Sequence, residues 1–496
     1  MRKIKTSLLA ISLAALLIQG CSLGKSETVT ITLDNDSTST VSVVKTSDSE
    51  GVSIVQTSIT EEDIKNATAV KDGEKITKAG TYVLNGEYTK TVTVEADKED
   101  DVIIILSGAT VTSEDGPAIC ASKCKSLTVY LVDGTVNTLT DAAEYEDTSD
   151  SAPTGALFCK NDLTIEGTGT LVINSNKKHG IVSKDNLYIN GGTIEVSAKK
   201  DGLHGGDSLT VNAGTITIKE SNEGIEAELI TINGGTIDVT AKDDGINATS
   251  DEITPVITIN GGTVTVNSNG DGLDSNGNIE LNGGFVYVSG AANDGNASVD
   301  YDGTFMANGG TLISTGMSGM YQSVTNGSSN YVIDYMPGTT IEAGTKCALY
   351  DGNTVIVEFE VLKNANSILI TAAELKDGKE YTLKVGDNSE TVTAGESTAK
   401  GFGGFGGPGG FSGPGERPDF GDASGNEGFG KGMGPGGDFG GERPEGFELP
   451  EGFDGELPEE FDGNLPEGFN PPEGMTPPGG FGGGKGGKGS SEDKNS

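Results

Sequence analysis

A tetrapeptide that returns at a near-constant interval constrains this chain more than any other feature. Asn190-Gly191-Gly192-Thr193, Asn212-Ala213-Gly214-Thr215, Asn233-Gly234-Gly235-Thr236, Asn260-Gly261-Gly262-Thr263, Asn282-Gly283-Gly284-Phe285 and Asn308-Gly309-Gly310-Thr311 follow one another after 22, 21, 27, 22 and 26 residues. Alternating apolar pairs flank each copy: Leu187/Ile189 then Ile194/Val196, Ile230/Ile232 then Ile237/Val239, Ile257/Ile259 then Val264/Val266. Alternation with period two, β-branched residues and glycine punctuation predict short strands. A unit this small cannot bury its apolar face alone, so successive units must stack, at the ~4.8 Å spacing of paired strands. The expected fold is all-β: a single-stranded parallel β-helix (β-solenoid) over 59–330. A small C-terminal β cap over 331–398 would cover the strand edges that the last coil otherwise leaves bare. Helical patterning is confined to a segment near 60–65, with Thr60 as its cap.

A second landmark falls once per coil, a polar residue, glycine and a large aliphatic: His179-Gly180-Ile181, Asp201-Gly202-Leu203, Glu223-Gly224-Ile225, Asp244-Gly245-Ile246 and Asp271-Gly272-Leu273. Asp294-Gly295-Asn296 reads as a degenerate sixth copy. The aliphatic belongs to the core, the glycine is expected to supply positive φ at a corner, and the asparagines before Gly-Gly are expected to form an amide ladder. Stacking turns the polar positions into columns. One reads Asp201, Glu223, Asp244, Asp271, Asp294; another, three residues on, reads His204, Glu226, Asn247, Asp274; Asp207, Glu228, Asp243 and Asp251 lie behind them. Carboxylates repeated at ~4.8 Å repel by about 1 kcal/mol in water and by several times more at a protein surface. Raised pKa values, splayed side chains or bound cations relieve this. Clustered oxygens without cysteine suit a hard ion, calcium above all; the plainer reading is a solvated edge of Asp-Gly turns. His204 is counted with the candidate ligands as a ladder or supporting group.

Composition bounds the partners and the ends of the chain. Of 496 residues, 33 are basic and 74 acidic, a net charge of −41, which excludes a nucleic-acid phosphate backbone as a partner. The start, MRKIK followed by an apolar run to Ile18, is too short to span a bilayer and reads as a signal peptide over 1–20. Leu17-Ile18-Gln19-Gly20-Cys21 resembles a bacterial lipobox, which implies diacylation of Cys21 and stable anchoring on the extracytoplasmic side of the cell membrane; the plainer reading is an ordinary secretory signal. Residues 21–58 read as a tether. From 399 the chain changes material: residues 401–496 hold 33 of the 77 glycines and 12 of the 16 prolines, an acidic tail expected to be disordered. Cys120 or Cys124 against Cys159 allows a disulfide and equally free thiols, Cys347 is isolated, and the absence of Cys-x-x-Cys speaks against zinc.

The combination resembles the secreted calcium-binding, right-handed parallel β-helix carbohydrate-binding proteins of anaerobic bacteria, which share the pectate-lyase architecture. The resemblance covers about 59–395. It rests on Ala79-Gly80-Thr81-Tyr82-Val83-Leu84-Asn85-Gly86, the coil run Leu163-Thr164-Ile165-Glu166-Gly167-Thr168-Gly169-Thr170-Leu171, the acid-Gly-aliphatic corners, and Leu375-Lys376-Asp377-Gly378-Lys379-Glu380-Tyr381-Thr382-Leu383. His179 in place of the acid and Asn296 in place of the aliphatic depart from the pattern. The resemblance implies a non-enzymatic binder of plant cell-wall polysaccharide, polygalacturonate or cellulose, with calcium held between coils. The alternatives are a calcium-dependent lyase and a structural adhesin. Arginine, the commonest lyase base on this fold, occurs only as Arg2, Arg417 and Arg443; Lys199, Lys200 or Lys242 would have to serve. A paired-carboxylate hydrolase has acids in plenty but none in visibly distinct settings. Lys199, Lys200, Tyr188 and Tyr287 are the expected glycan contacts.

Overall fold

A computed structural model describes residues 59–149 and 152–397. The segments expected as signal peptide, tether and acidic tail, with Cys21, lie outside these residues. Helix Glu61–Asn66 opens the described part, with Thr60 as its N-cap in a reciprocal box with Asp63. Strands then dominate. From Gly80–Tyr88 onward each coil of a parallel solenoid of about ten turns contributes up to three strands. The shortest form a nine-stranded parallel sheet that includes His179–Ser183, Leu203–Gly205, Ile225–Ala227, Ile246–Ala248, Leu273–Ser275 and Val299–Tyr301. The other two series, such as Ser208–Val211 and Thr215–Glu220, run through a larger forked sheet.

Register follows from alternation. Leu203, Ile225, Ile246 and Leu273 stack in register and are fully buried, so the next residue of each strand must face outward. The asparagines before Gly-Gly form a ladder in which Nδ2 of Asn212, Asn233, Asn260 and Asn282 donates to Oδ1 of the preceding member at 2.8, 2.8, 2.9 and 3.0 Å. At the end of the series, Asn308 Oδ1 instead accepts from Ser329 Oγ at 3.4 Å.

The glycine expectation is corrected. Positive φ belongs to the second glycine of the Asn-Gly-Gly turn, for example Gly235 at 90°, and not to the glycines after the corner acids. Those are required by closeness: a Cβ on Gly202 would sit 2.8 Å from the Gly224 carbonyl oxygen on the next coil.

The last coil is closed by antiparallel strands. Ser367–Ala372 pairs with Thr311–Gly316 on one side and Tyr331–Tyr335 on the other, and a four-stranded antiparallel sheet of residues 346–393 packs behind. This cap has its own core, which takes in Phe285, Tyr287 and Ile313 from the outward face of the solenoid.

Candidate functional site

The nine-stranded sheet carries the chemistry. Its outward column, read coil by coil, is Cys120, Phe158, Val182, His204, Glu226, Asn247, Asp274 and Asp300. The apolar start of the column is buried as a small cluster of Cys120, Phe158 and Val182. Beside it runs the corner column, fixed by Gly180, Gly202, Gly224, Gly245 and Gly272 N–H donating to the carbonyls of Asp201, Glu223, Asp244, Asp271 and Ala297. The sixth corner is therefore Ala297. Asp294, expected there, lies in a longer exposed turn and accepts from Gly319 N–H at 3.2 Å. The acid of that coil is Asp300, which the Asp-Gly pattern does not mark.

Among the described residues three groups bring ligand atoms within 4.8 Å of one another: His179, Asp201 and His204; Asp201, Glu223 and Glu226; and Asp271, Asp274 and Asp300. In the first, Asp201 Oδ2 lies 2.8 Å from His179 Nδ1 and 2.9 Å from His204 Nδ1. Burial opposes charge on Asp201, but the hydrogen bonds and charges of the two histidines outweigh it and hold the carboxyl well below the usual range. Burial likewise opposes charge on His204, and its contacts with Asp201 and Glu226 prevail, raising it to about 9. Glu226 Oε1 stands 3.3 Å from His204 Nδ1. The hydrogen bond to His204 favours ionised Glu226. Burial, the hydrogen bond to Glu226 and that residue's charge push Glu223 up.

The far end is purely acidic. Burial, reinforced by the charges of Asp244, Asp271 and Asp300, raises Asp274 to about 8. Asp271 rises to about 6, mainly through burial, and burial raises Asp244 and Asp300 too. Asp271 N–H donates to Asp244 Oδ1 at 2.7 Å, Ala297 N–H to Asp271, and Gln322 Nε2 to Asp300. Between the two ends Asn247 Nδ2 donates to Glu223 at 3.3 Å, while its Oδ1 is buried without a hydrogen-bond partner. Carboxylates with a neighbouring unpartnered amide oxygen fit a hard divalent cation.

The remaining expected residues fall elsewhere. Asp207, Asp243 and Asp251 are exposed and join none of these groups. Lys199 and Lys200 are exposed at the turn before Asp201, their N–H groups donating to Lys178 O. Tyr188 is half-buried on a different sheet, between Thr164 and Thr210. Tyr287 is corrected as a glycan contact: it is 2 % exposed, donates to Glu360 O at 2.7 Å and packs on Phe359 beneath the cap. Cys120, Cys124, Cys159 and Cys347 are free thiols, with Cys124 hydrogen-bonded to Cys159.

Residues 71–255 match a family described as "Carbohydrate-binding domain-containing protein". A curated protein of that description from Acetivibrio thermocellus is 35 % identical over 127 residues, 25 % of this chain and 44 % of the relative. The chain thus spans less than half the length of that relative. A solved structure of the polysaccharide lyase-like protein from C. thermocellum, a gadolinium derivative, aligns with a TM-score of 0.38 and 30 % identity, over 47 % of this chain and 85 % of that one. The family match contains the coils from His179 to Asn247 and ends before Asp271.

Proposed function

We propose that this chain is a non-catalytic, calcium-dependent binder of an acidic plant cell-wall polysaccharide of the polygalacturonate class, held at the cell surface by a lipid on Cys21. The observation that carries the reading is the convergence of Asp271, Asp274 and Asp300 oxygens, with Asn247, whose Oδ1 is unpartnered, as the register neighbour of Asp274 on the preceding coil. The carbohydrate-binding family match over the preceding coils supports the glycan.

Charge explains why a cation belongs in the scheme. Residues 21–400 carry 24 basic and 56 acidic side chains, a net −32, which repels a polyuronate over the ~8–10 Å that physiological salt permits. Bound calcium supplies opposite charge and coordination positions for a uronate carboxylate. Asp271 and Asp274 from one coil and Asp300 from the next would hold it, Asn247 of the preceding coil would add a neutral oxygen, and Gln322 orients Asp300. No arginine occurs among the described residues, which supports binding without eliminative cleavage.

Co-sedimentation of the full chain with polygalacturonate and with cellulose, in calcium and in chelator, tests this reading. The expected result is retention on polygalacturonate that chelator and Asp274→Asn both remove. Retention indifferent to chelator would sink it, and capture by cellulose alone would move recognition to a neutral glucan at surfaces such as Tyr188.

A further inference from the structure

The sequence holds two histidines in 496 residues, and the solenoid brings both to one carboxylate. His179 is a corner residue and His204 the outward residue of the next coil, 25 positions later. Their ring centroids are 5.1 Å apart, and both Nδ1 atoms face Asp201 Oδ2. Their side chains are 15 % and 18 % exposed, that of Asp201 only 2 %, and Glu226 completes the group at 3.3 Å from His204 Nδ1.

We propose that His179, Asp201, His204 and Glu226 form a second metal site, chemically distinct from the acidic end of the column, that takes a borderline divalent cation of the zinc type. The donor set is two imidazoles and two carboxylates, which suits zinc and its neighbours in the first transition row, whereas calcium takes oxygen ligands. Spacing agrees. A tetrahedral ion with ~2.0–2.1 Å bonds separates its ligand atoms by about 3.3 Å. The separations of 2.8 and 2.9 Å from Asp201 to the two histidines and 3.3 Å from His204 to Glu226 lie within about half an ångström of that value; the His179, Asp201 and His204 ligand atoms all fall within 4.8 Å of one another, and Glu226 would swing in to complete the set. The ion would take the place of the Nδ1 protons that now point at Asp201, so binding releases protons.

Supporting contacts are present as well. Glu223 is hydrogen-bonded to Glu226 and receives Asn247 Nδ2, an arrangement that orients a ligating carboxylate. On the other side Val182 and Phe158 provide an apolar wall. The absence of Cys-x-x-Cys speaks against zinc only for cysteine sites; the histidines supply it independently. Because the four donors come from three successive coils, the ion would staple those coils together.

Titration calorimetry of the full chain, stripped of metal, with zinc chloride in a large excess of calcium tests the proposal. One high-affinity zinc site per chain is expected, with affinity lowered about 100-fold or more in His179→Gln and in His204→Gln. Cobalt titration of the unmutated protein guards against misfolded variants. It should give strong visible absorption of a four-coordinate site that zinc abolishes and calcium does not. Zinc affinity unchanged in both histidine variants, zinc displaced by calcium, or no zinc-sensitive cobalt band would each overturn the proposal. Calcium-dependent glycan retention is a separate readout, so either site can fail without the other.

Discussion

Asp274 stands in register with Asn247 of the preceding coil, so a carboxyl and an unpartnered amide oxygen share one strip of surface. Without a cation this pairing has a pH signature. Burial raises Asp274 to about 8 from an ordinary 3.8, and Asp271 to about 6. A carboxyl raised on folding binds its proton more tightly in the native state, so its contribution is complete below about pH 4 and is lost as pH climbs through 6 to 8. In chelator the melting temperature should fall over that window, by an equivalent of roughly 1–3 kcal/mol after allowance for water at this half-buried surface. Calcium should flatten the fall by taking over the role of the protons. Thermal melts from pH 5 to 9 check this, and a flat profile in chelator contradicts it.

The amide ladder makes a mechanical prediction. Asn233 donates to Asn212 and accepts from Asn260, so Asn233→Ala breaks two bonds and leaves the half-buried Asn212 and the exposed Asn260 short of a partner. The expected cost is about 1–2 kcal/mol. Asn308→Ala, outside the chain of amide-to-amide bonds, should cost less. Urea unfolding of the two variants side by side measures the difference.

Much of this architecture is legible in the sequence because a solenoid writes its geometry as a period. The interval between Asn-Gly-Gly turns sets the coil length, and alternation sets which residues face inward, so the stacking of Asp201, Glu223, Asp244 and Asp271 follows from spacing alone. What failed did so where the period breaks. Asp294-Gly295 imitates the corner motif, but the turn is longer there and Ala297 occupies the slot. Asp300 follows Val299 without the glycine that marked its predecessors. Tyr287, an expected glycan contact, does face outward, but Phe285-Val286-Tyr287-Val288 is apolar on both faces, a signal that something covers it. Long-range cover by the cap is not encoded in local spacing. The meeting of His179 and His204 required knowing that a corner position and an outward position of adjacent coils touch.

The two kinds of glycine should respond differently to alanine. At Gly202 the backbone φ is ordinary, but a Cβ would lie 2.8 Å from the next coil's carbonyl and from Ile218. Coils must part for it, a cost of about 1–3 kcal/mol or more. Gly344 has φ +83 with nothing within 4 Å, so Gly344→Ala meets only the left-handed backbone penalty of about 1–2 kcal/mol. Thermal melts should place Gly202→Ala well below Gly344→Ala. Equal effects would mean that the coils are not held at this spacing by close backbone approach.

Anchoring rests on the sequence alone. If Cys21 is the acylated residue, Cys21→Ser should release the chain from the membrane fraction into the medium or leave it unprocessed. A processed Cys21→Ser protein that still sediments with membranes would exclude a lipid at this position.

Catalysis is the remaining alternative, and it makes a chemical demand that can be tested. Eliminative cleavage of a polyuronate needs a neutralised carboxylate and a base within reach of the α-proton. Calcium on Asp271, Asp274 and Asp300 would meet the first need. For the second, the described residues offer lysine but no arginine, and Lys242 stands 3.7 Å from Glu220 at the exposed surface. Lys199 and Lys200 are exposed at the turn before Asp201, on an earlier coil than the aspartate triad. Incubation of the full chain with polygalacturonate and calcium at alkaline pH should therefore give binding without any rise in unsaturated-uronide absorbance. A rise that disappears in Lys199→Ala or Lys200→Ala would reverse the assignment and make the chain a lyase.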